Sequence, residues 1–158
     1  MNLPLLLAGP ILRRVDTTTA SVWLALRDPS KVVMKVWEGR AKSGQAHPLA
    51  ASPSTPTLRV GAKLNVVVVT VEIPATAGVS FQPDSIYSYD FEITDSSNTA
   101  RTLKTLHMLE EGFFDGFPRL PLGFEPDFLP TFAPPPSDLT NLRVLYGSCR
   151  RPGHPTAH

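Results

Sequence analysis

Leu64-Asn65-Val66-Val67-Val68-Val69-Thr70-Val71-Glu72-Ile73 is the stretch whose reading decides the fold. Four consecutive valines pass into an alternation that puts Val67, Val69, Val71 and Ile73 on one face. β-Branched side chains are stiff at χ1 and suit a pleated surface better than a helix. A period of two over this length predicts a strand with one face in a core.

The same pattern recurs on both sides. Downstream, Tyr87, Tyr89, Phe91 and Ile93 share one face, while Ser88, Asp90 and Glu92 share the other. This predicts a strand with a buried face and a wet face. Upstream, Pro10–Val15, Ser21–Leu26 and Val32–Trp37 read as strands, separated by the polar turns Asp16–Thr19 and Asp28–Ser30. Residues 40–57 carry no clear period and read as a loop. Asp95–Asn98 reads as a hairpin-like turn and Ala100–Leu106 as a return strand. Six or seven short strands with regular turns predict an all-β fold, an immunoglobulin or fibronectin type III-like β-sandwich over residues 1–108. Ser21–Leu26 is apolar on both faces, Trp23 on one and Val22, Leu24 and Leu26 on the other. The outer face is therefore expected to be covered, by the connector or a following domain.

Between Phe113 and Pro136 the composition changes: six of the eight Phe and seven of the seventeen Pro fall there. Proline fixes φ and removes donors, so neither a sheet interior nor a long helix fits. The stretch is also too aromatic for a flexible linker. Residues 109–140 are expected to form an extended strap whose phenylalanines dock on folded surfaces. Residues 141–158 then supply a short β run, Leu142–Tyr146, which opens into Gly147-Ser148-Cys149-Arg150-Arg151-Pro152-Gly153-His154. A strand opening into a small-residue turn is a common way to present a functional group.

Composition sets bounds on function. The chain has 158 residues, 42% hydrophobic and 18% charged, which is enough for a core. A net charge of +1 and a pI near 7.9 supply no field that would draw nucleic acid or an anionic membrane. Cys149 is the single cysteine, so no disulfide forms within the chain. The apolar N-terminus lacks a basic lead and is broken by Pro4 and Pro10, which speaks against a signal peptide or membrane span. Arg13 and Arg14 follow the apolar stretch, whereas a twin-arginine signal precedes it. The cytoplasm is the default compartment on this reading.

Phe128 to His154, ending in Tyr146-Gly147-Ser148-Cys149-Arg150-Arg151, resembles the entry to the catalytic domain of PhoD-like phosphatases (the alkaline phosphatase D family). Gly9–Val15, Thr19–Leu24 and the Pro83…Tyr87-Ser88-Tyr89-Asp90-Phe91 stretch resemble that family's N-terminal immunoglobulin-like domain. The resemblance implies a metallophosphoesterase whose metal cluster, of calcium and/or iron type, activates water against a phosphate ester. It implies that Cys149 is a metal ligand in a full-length parent, with Arg150 and Arg151 as possible phosphate contacts. The family's aspartates, Asn-His pair and further histidines lie beyond the matching stretch. One thiolate cannot hold such a cluster, so this chain alone is expected to hold no metal and to be inactive. Its partner would be its own catalytic domain, and the C-terminal strand would offer an edge for self-association.

Other chemistries fit the residues less well. A cysteine-phosphatase loop needs Arg six positions after the cysteine, and Pro155 stands there. Cys149, His154 and His158 approach zinc spacing but offer three ligands among prolines. His47 and His107 have no evident partners and read as surface residues. Trp23, Tyr87 and Tyr89 would suit a sugar-binding face, yet their alternation favours a core. A free-standing immunoglobulin-like module for adhesion or carbohydrate binding is the alternative function.

Overall fold

Alternating branched and aromatic residues give this chain two antiparallel sheets packed face to face. A computed structural model describes residues 3–114, 117–138, 140 and 142. The strands are β1 (Leu6–Val15), β2 (Thr19–Leu26), β3 (Ser30–Glu38), β4 (Ala50–Ala51), β5 (Thr55–Pro56), β6 (Leu58–Gly61), β7 (Leu64–Glu72), β8 (Tyr87–Asp95), β9 (Ala100–Arg101), β10 (Gly112–Phe114), β11 (Phe117–Arg119) and β12 (Thr131–Phe132). One sheet runs β1-β2-β7-β6. The other runs β12-β8-β3-β4, with β5 on β3 and β9 on β8, and β10 and β11 form a separate pair. The fold is the all-β sandwich that the periodicity predicts.

The core lies where the alternation places it. Val67, Val69, Val71 and Ile73 are buried against Ala20, Val22, Leu24 and Leu26 of the neighbouring strand. The second sheet contributes Val32, Met34 and Val36 from β3 and Tyr87, Tyr89, Phe91 and Ile93 from β8. Burying each such side chain is worth about 1.5–3 kcal/mol, which is what holds the two layers together. The Tyr87 hydroxyl accepts the Gln82 backbone N–H at 2.7 Å. This is the tyrosine corner found in immunoglobulin-like sandwiches.

Turn chemistry follows the sequence. Asp16 Oδ1 accepts the Thr18 and Thr19 N–H groups at 2.9 and 2.8 Å, and Asp95 Oδ1 accepts those of Ser97 and Thr99 at 2.9 and 3.2 Å. Gly9 has φ +96°, and a Cβ there would meet the Trp23 carbonyl oxygen at 2.8 Å. Glycine alone fits where β1 crosses so close to β2.

Several local expectations are corrected. The stretch 40–57 is not all loop, because β4 and β5 pair with β3. The return strand ends at Arg101, after which the chain turns through residues 103–109. The polar face of β8 is wet only in part: Ser88 is 0% and Asp90 6% exposed, while Glu92 is half-buried. Nor does the connector cover the outer face of the first sheet. Ile11, Trp23 and Val68 form one row across β1, β2 and β7 by register, and Ile11 and Val68 remain exposed. Of the expected strand Leu142–Tyr146, residues 143–146 lie outside the described residues.

Candidate functional site

The covered face of β8 is where the structure departs furthest from its sequence pattern, and two short strands explain why. β9 pairs Arg101 with Ile93 and Ala100 with Thr94. β12 pairs Thr131 with Ser88 and Phe132 with Tyr87. The strand that completes this edge is thus split into two pieces, from chain segments thirty residues apart.

The gap between the pieces is closed by other groups. Tyr89 N–H donates to the Pro130 carbonyl at 3.0 Å. Asp90 Oδ1 accepts the N–H groups of Phe91 at 2.7 Å and Leu103 at 3.0 Å. Ser88 Oγ donates to the Gly39 carbonyl at 2.6 Å and accepts the Ala41 N–H at 2.9 Å. Each buried polar side chain on this face therefore has partners, as burial requires.

Asp90 is the charged residue most affected. Burial holds its carboxyl above the ordinary carboxylate range, opposed by the N–H donors of Leu103 and Phe91 and by the charge of Lys35. Lys35 sits opposite Asp90 in the ladder and donates to Glu92 at 2.8 Å. Burial also pushes the Tyr89 hydroxyl up to about 12, so it stays neutral. Lys35, Asp90 and Glu92 border a cleft of about 370 Å³ between β3, the 43–48 loop and the 102–105 turn. Trp37 and His47 also line it. Trp37 is buried, with its indole N–H on the Ala46 carbonyl at 3.3 Å.

The chemistry available here is bracing and binding. Among the described residues, Asp90 makes no hydrogen bond to a hydroxyl, thiol or imidazole that it could activate. No group of three or more His, Cys, Asp or Glu among them is placed to hold a metal ion. No helix among them is long and apolar enough to cross a membrane.

The strap reaches β8 through a chain of contacts. Lys42 bridges Phe128, and Leu129 N–H donates to the Ala41 carbonyl at 3.0 Å. Arg40 and Lys42 lie over the Phe128 ring at 4.6 and 4.9 Å. Phe132 is buried, stacked on Tyr87 at 5.6 Å and edge-on to Phe81 at 5.4 Å.

The sequence-predicted site residues fare differently. Cys149, Arg150 and Arg151, with His154 and His158, lie outside the described residues. His47 and His107 are exposed, and His107 does have a partner, Glu110. Tyr87 and Tyr89 belong to the core, while Trp23 is half-buried on the opposite sheet. Sequence reasoning missed Asp90, because a carboxylate alternating with aromatics has the pattern of a solvated position. The usable signal was the Phe and Pro enrichment downstream, which marked a segment that must cover something.

Comparison with curated proteins finds no match. A family model described as a domain of unknown function (DUF7800) matches residues 3–100, from just before β1 to the first residue of β9. The match spans well over half of the chain and nearly all of the sandwich, and the chain belongs to this DUF7800 family.

Proposed function

We propose that this chain is the N-terminal, non-catalytic part of a PhoD-like phosphatase. In this reading the sandwich and strap support a metallophosphoesterase domain that follows the strap and hydrolyses phosphate esters with bound metals. The observation that carries it is the anchoring of the strap. Phe128, Leu129, Pro130 and Phe132 are tied to β8 and the turn after β3. A chain fastened in this way leaves the sandwich at a set place and direction, which suits a scaffold better than a free tether. Cys149 would be a metal ligand in the parent, with Arg150 and Arg151 contacting phosphate. The cluster would supply an activated water there.

The binding-module alternative has less support, since Tyr87 and Tyr89 face the core and offer no platform for a sugar.

The test compares this chain with a longer product of the same gene that continues past His158. Hydrolysis of bis-p-nitrophenyl phosphate is followed with calcium and iron supplied and then with chelator. The expected result is chelator-sensitive turnover by the longer product and none by this chain. Metal-dependent turnover by this chain alone, or a longer product with none, overturns the reading.

A further inference from the structure

Phe124 is 81% exposed, the most exposed large apolar side chain among the described residues, and Leu120 nearby is 69% exposed. Exposure of this kind usually accompanies a loose loop, but this turn is braced. Leu122 N–H donates to the Met108 carbonyl at 3.0 Å, and Asp127 N–H to the Leu109 carbonyl at 2.9 Å. Within the turn, Phe124 N–H donates to Pro121 at 2.9 Å and Phe128 N–H to Glu125 at 3.2 Å. Pro121, Gly123 and Leu129 are buried beneath it. Gly123 packs so closely that a Cβ would stand 2.1 Å from the Phe128 carbonyl oxygen.

The backbone at Phe124 is strained as well as exposed. Its φ is +66°, in the left-handed region that favours glycine or asparagine. A bulky aromatic at this position is unfavourable on two counts, backbone conformation and contact with water. Strained positions that persist in a braced frame cluster at ligand clamps and interfaces, and a preorganised exposed aromatic is the form that interface anchors take.

The chemistry of the tip defines its partner. Glu125 is paired with Arg40 at 3.1 Å and Asp127 with Lys104 at 3.0 Å, so the charges at its base are matched from the sandwich. What remains at the tip is Leu120, Phe124 and Pro126, a surface that fits an apolar pocket rather than phosphate or nucleic acid.

We propose that the Leu120–Asp127 turn is a docking wedge that seats Leu120 and Phe124 in an apolar pocket of the domain following the strap. This rests on the accessory-domain reading above. The position of the turn favours that occupant over a second copy. Leu142 stands only ten positions after Phe132, a reach of at most about 36 Å. Whatever folds next is therefore held close to the turn at high effective concentration. A second copy has no such tether, so its encounter with the turn depends on protein concentration.

Phe124→Asn keeps the left-handed backbone and removes the wedge. The variant is made both in this chain and in the longer gene product. In this chain its Tm should stay within about 2 °C of the parent or rise. In the longer product its Tm should fall by about 4 °C or more, with amide exchange opening across residues 120–127. Phe124→Leu should restore part of the loss. Equal shifts in both contexts overturn the wedge. So does a monomer–dimer equilibrium of this chain that Phe124→Asn abolishes, which assigns the turn to a second copy. Turnover by the longer product judges the underlying reading separately, so a failed wedge beside an active longer product leaves that reading standing.

Discussion

Phe132 and Phe124 stand eight residues apart on one strap, and their surroundings are opposite. Phe132 is 5% exposed, with rings of Phe81, Tyr87 and Tyr89 within 6.2 Å. Phe124 is 81% exposed. Both segments are held by main-chain hydrogen bonds, so rigidity does not separate them. The difference is where each ring ends up: Phe132 completes the edge of β8, whereas Phe124 stands in solvent. Residue type marked the strap as adhesive, but it could not say which side chains adhere to the sandwich and which are left for something else.

Truncating Phe132 should be the largest blow. Phe132→Ala removes a buried ring from a four-ring cluster and should cost about 3–5 kcal/mol. Chemical denaturation with an unchanged m-value would register this as a fall in midpoint. A cost below about 1 kcal/mol would erase the contrast with Phe124.

Gly123→Ala tests the bracing between the two. The new methyl collides with main chain rather than with a movable side chain, so the turn itself must shift. The expected loss is about 1–3 kcal/mol, with amide exchange accelerating at Leu122 and Asp127. An unperturbed turn would mean that the frame under Phe124 is softer than its hydrogen bonds imply.

Asp90 probes the part of the edge that the strap does not pair. Asp90→Ala leaves the buried N–H groups of Phe91 and Leu103 without their acceptor and should cost about 1–3 kcal/mol. Asp90→Asn keeps an acceptor and removes the titration. Burial raises the folded-state pKa of Asp90, so the folded chain holds this proton more tightly than the unfolded chain. Stability of the parent relative to Asp90→Asn is therefore greatest at low pH. It declines as pH rises from about 3.9, the unfolded value, through the raised folded value, and is level above it. Asp16 and Asp95 act in the other direction. Hydrogen bonds from their own turns lower them, so their contribution is lost as pH falls. A parent-to-variant difference that does not change with pH would mean that Asp90 is more solvated than its position indicates.

The smallest effect belongs to Phe124 in this chain. Phe124→Asn should alter stability by no more than about 0.5 kcal/mol, because an exposed ring is lost and left-handed strain relieved. A large loss would show that the ring packs on the sandwich after all.

Much of the fold was legible because its signals are local. Val67, Val69, Val71 and Ile73, and Tyr87, Tyr89, Phe91 and Ile93, alternate with period two, and only a strand places alternate residues on one face. Asp16 and Asp95 carry their turn chemistry within four residues. The site was less legible. Ser88 and Asp90 have the pattern of solvated positions, and Cys149, Arg150 and Arg151 were chosen through resemblance and lie outside the described residues.

Periodicity, turn residues and the Phe/Pro shift thus determined a β-sandwich followed by an adhesive strap, because each depends on neighbours along the chain. Tertiary structure alone decided that the strap supplies half of a split edge strand, that Asp90 is buried beside the turn after β9, and that Phe124 is left in solvent. Those outcomes depend on which distant segments meet, and burial belongs to the meeting of segments rather than to either one.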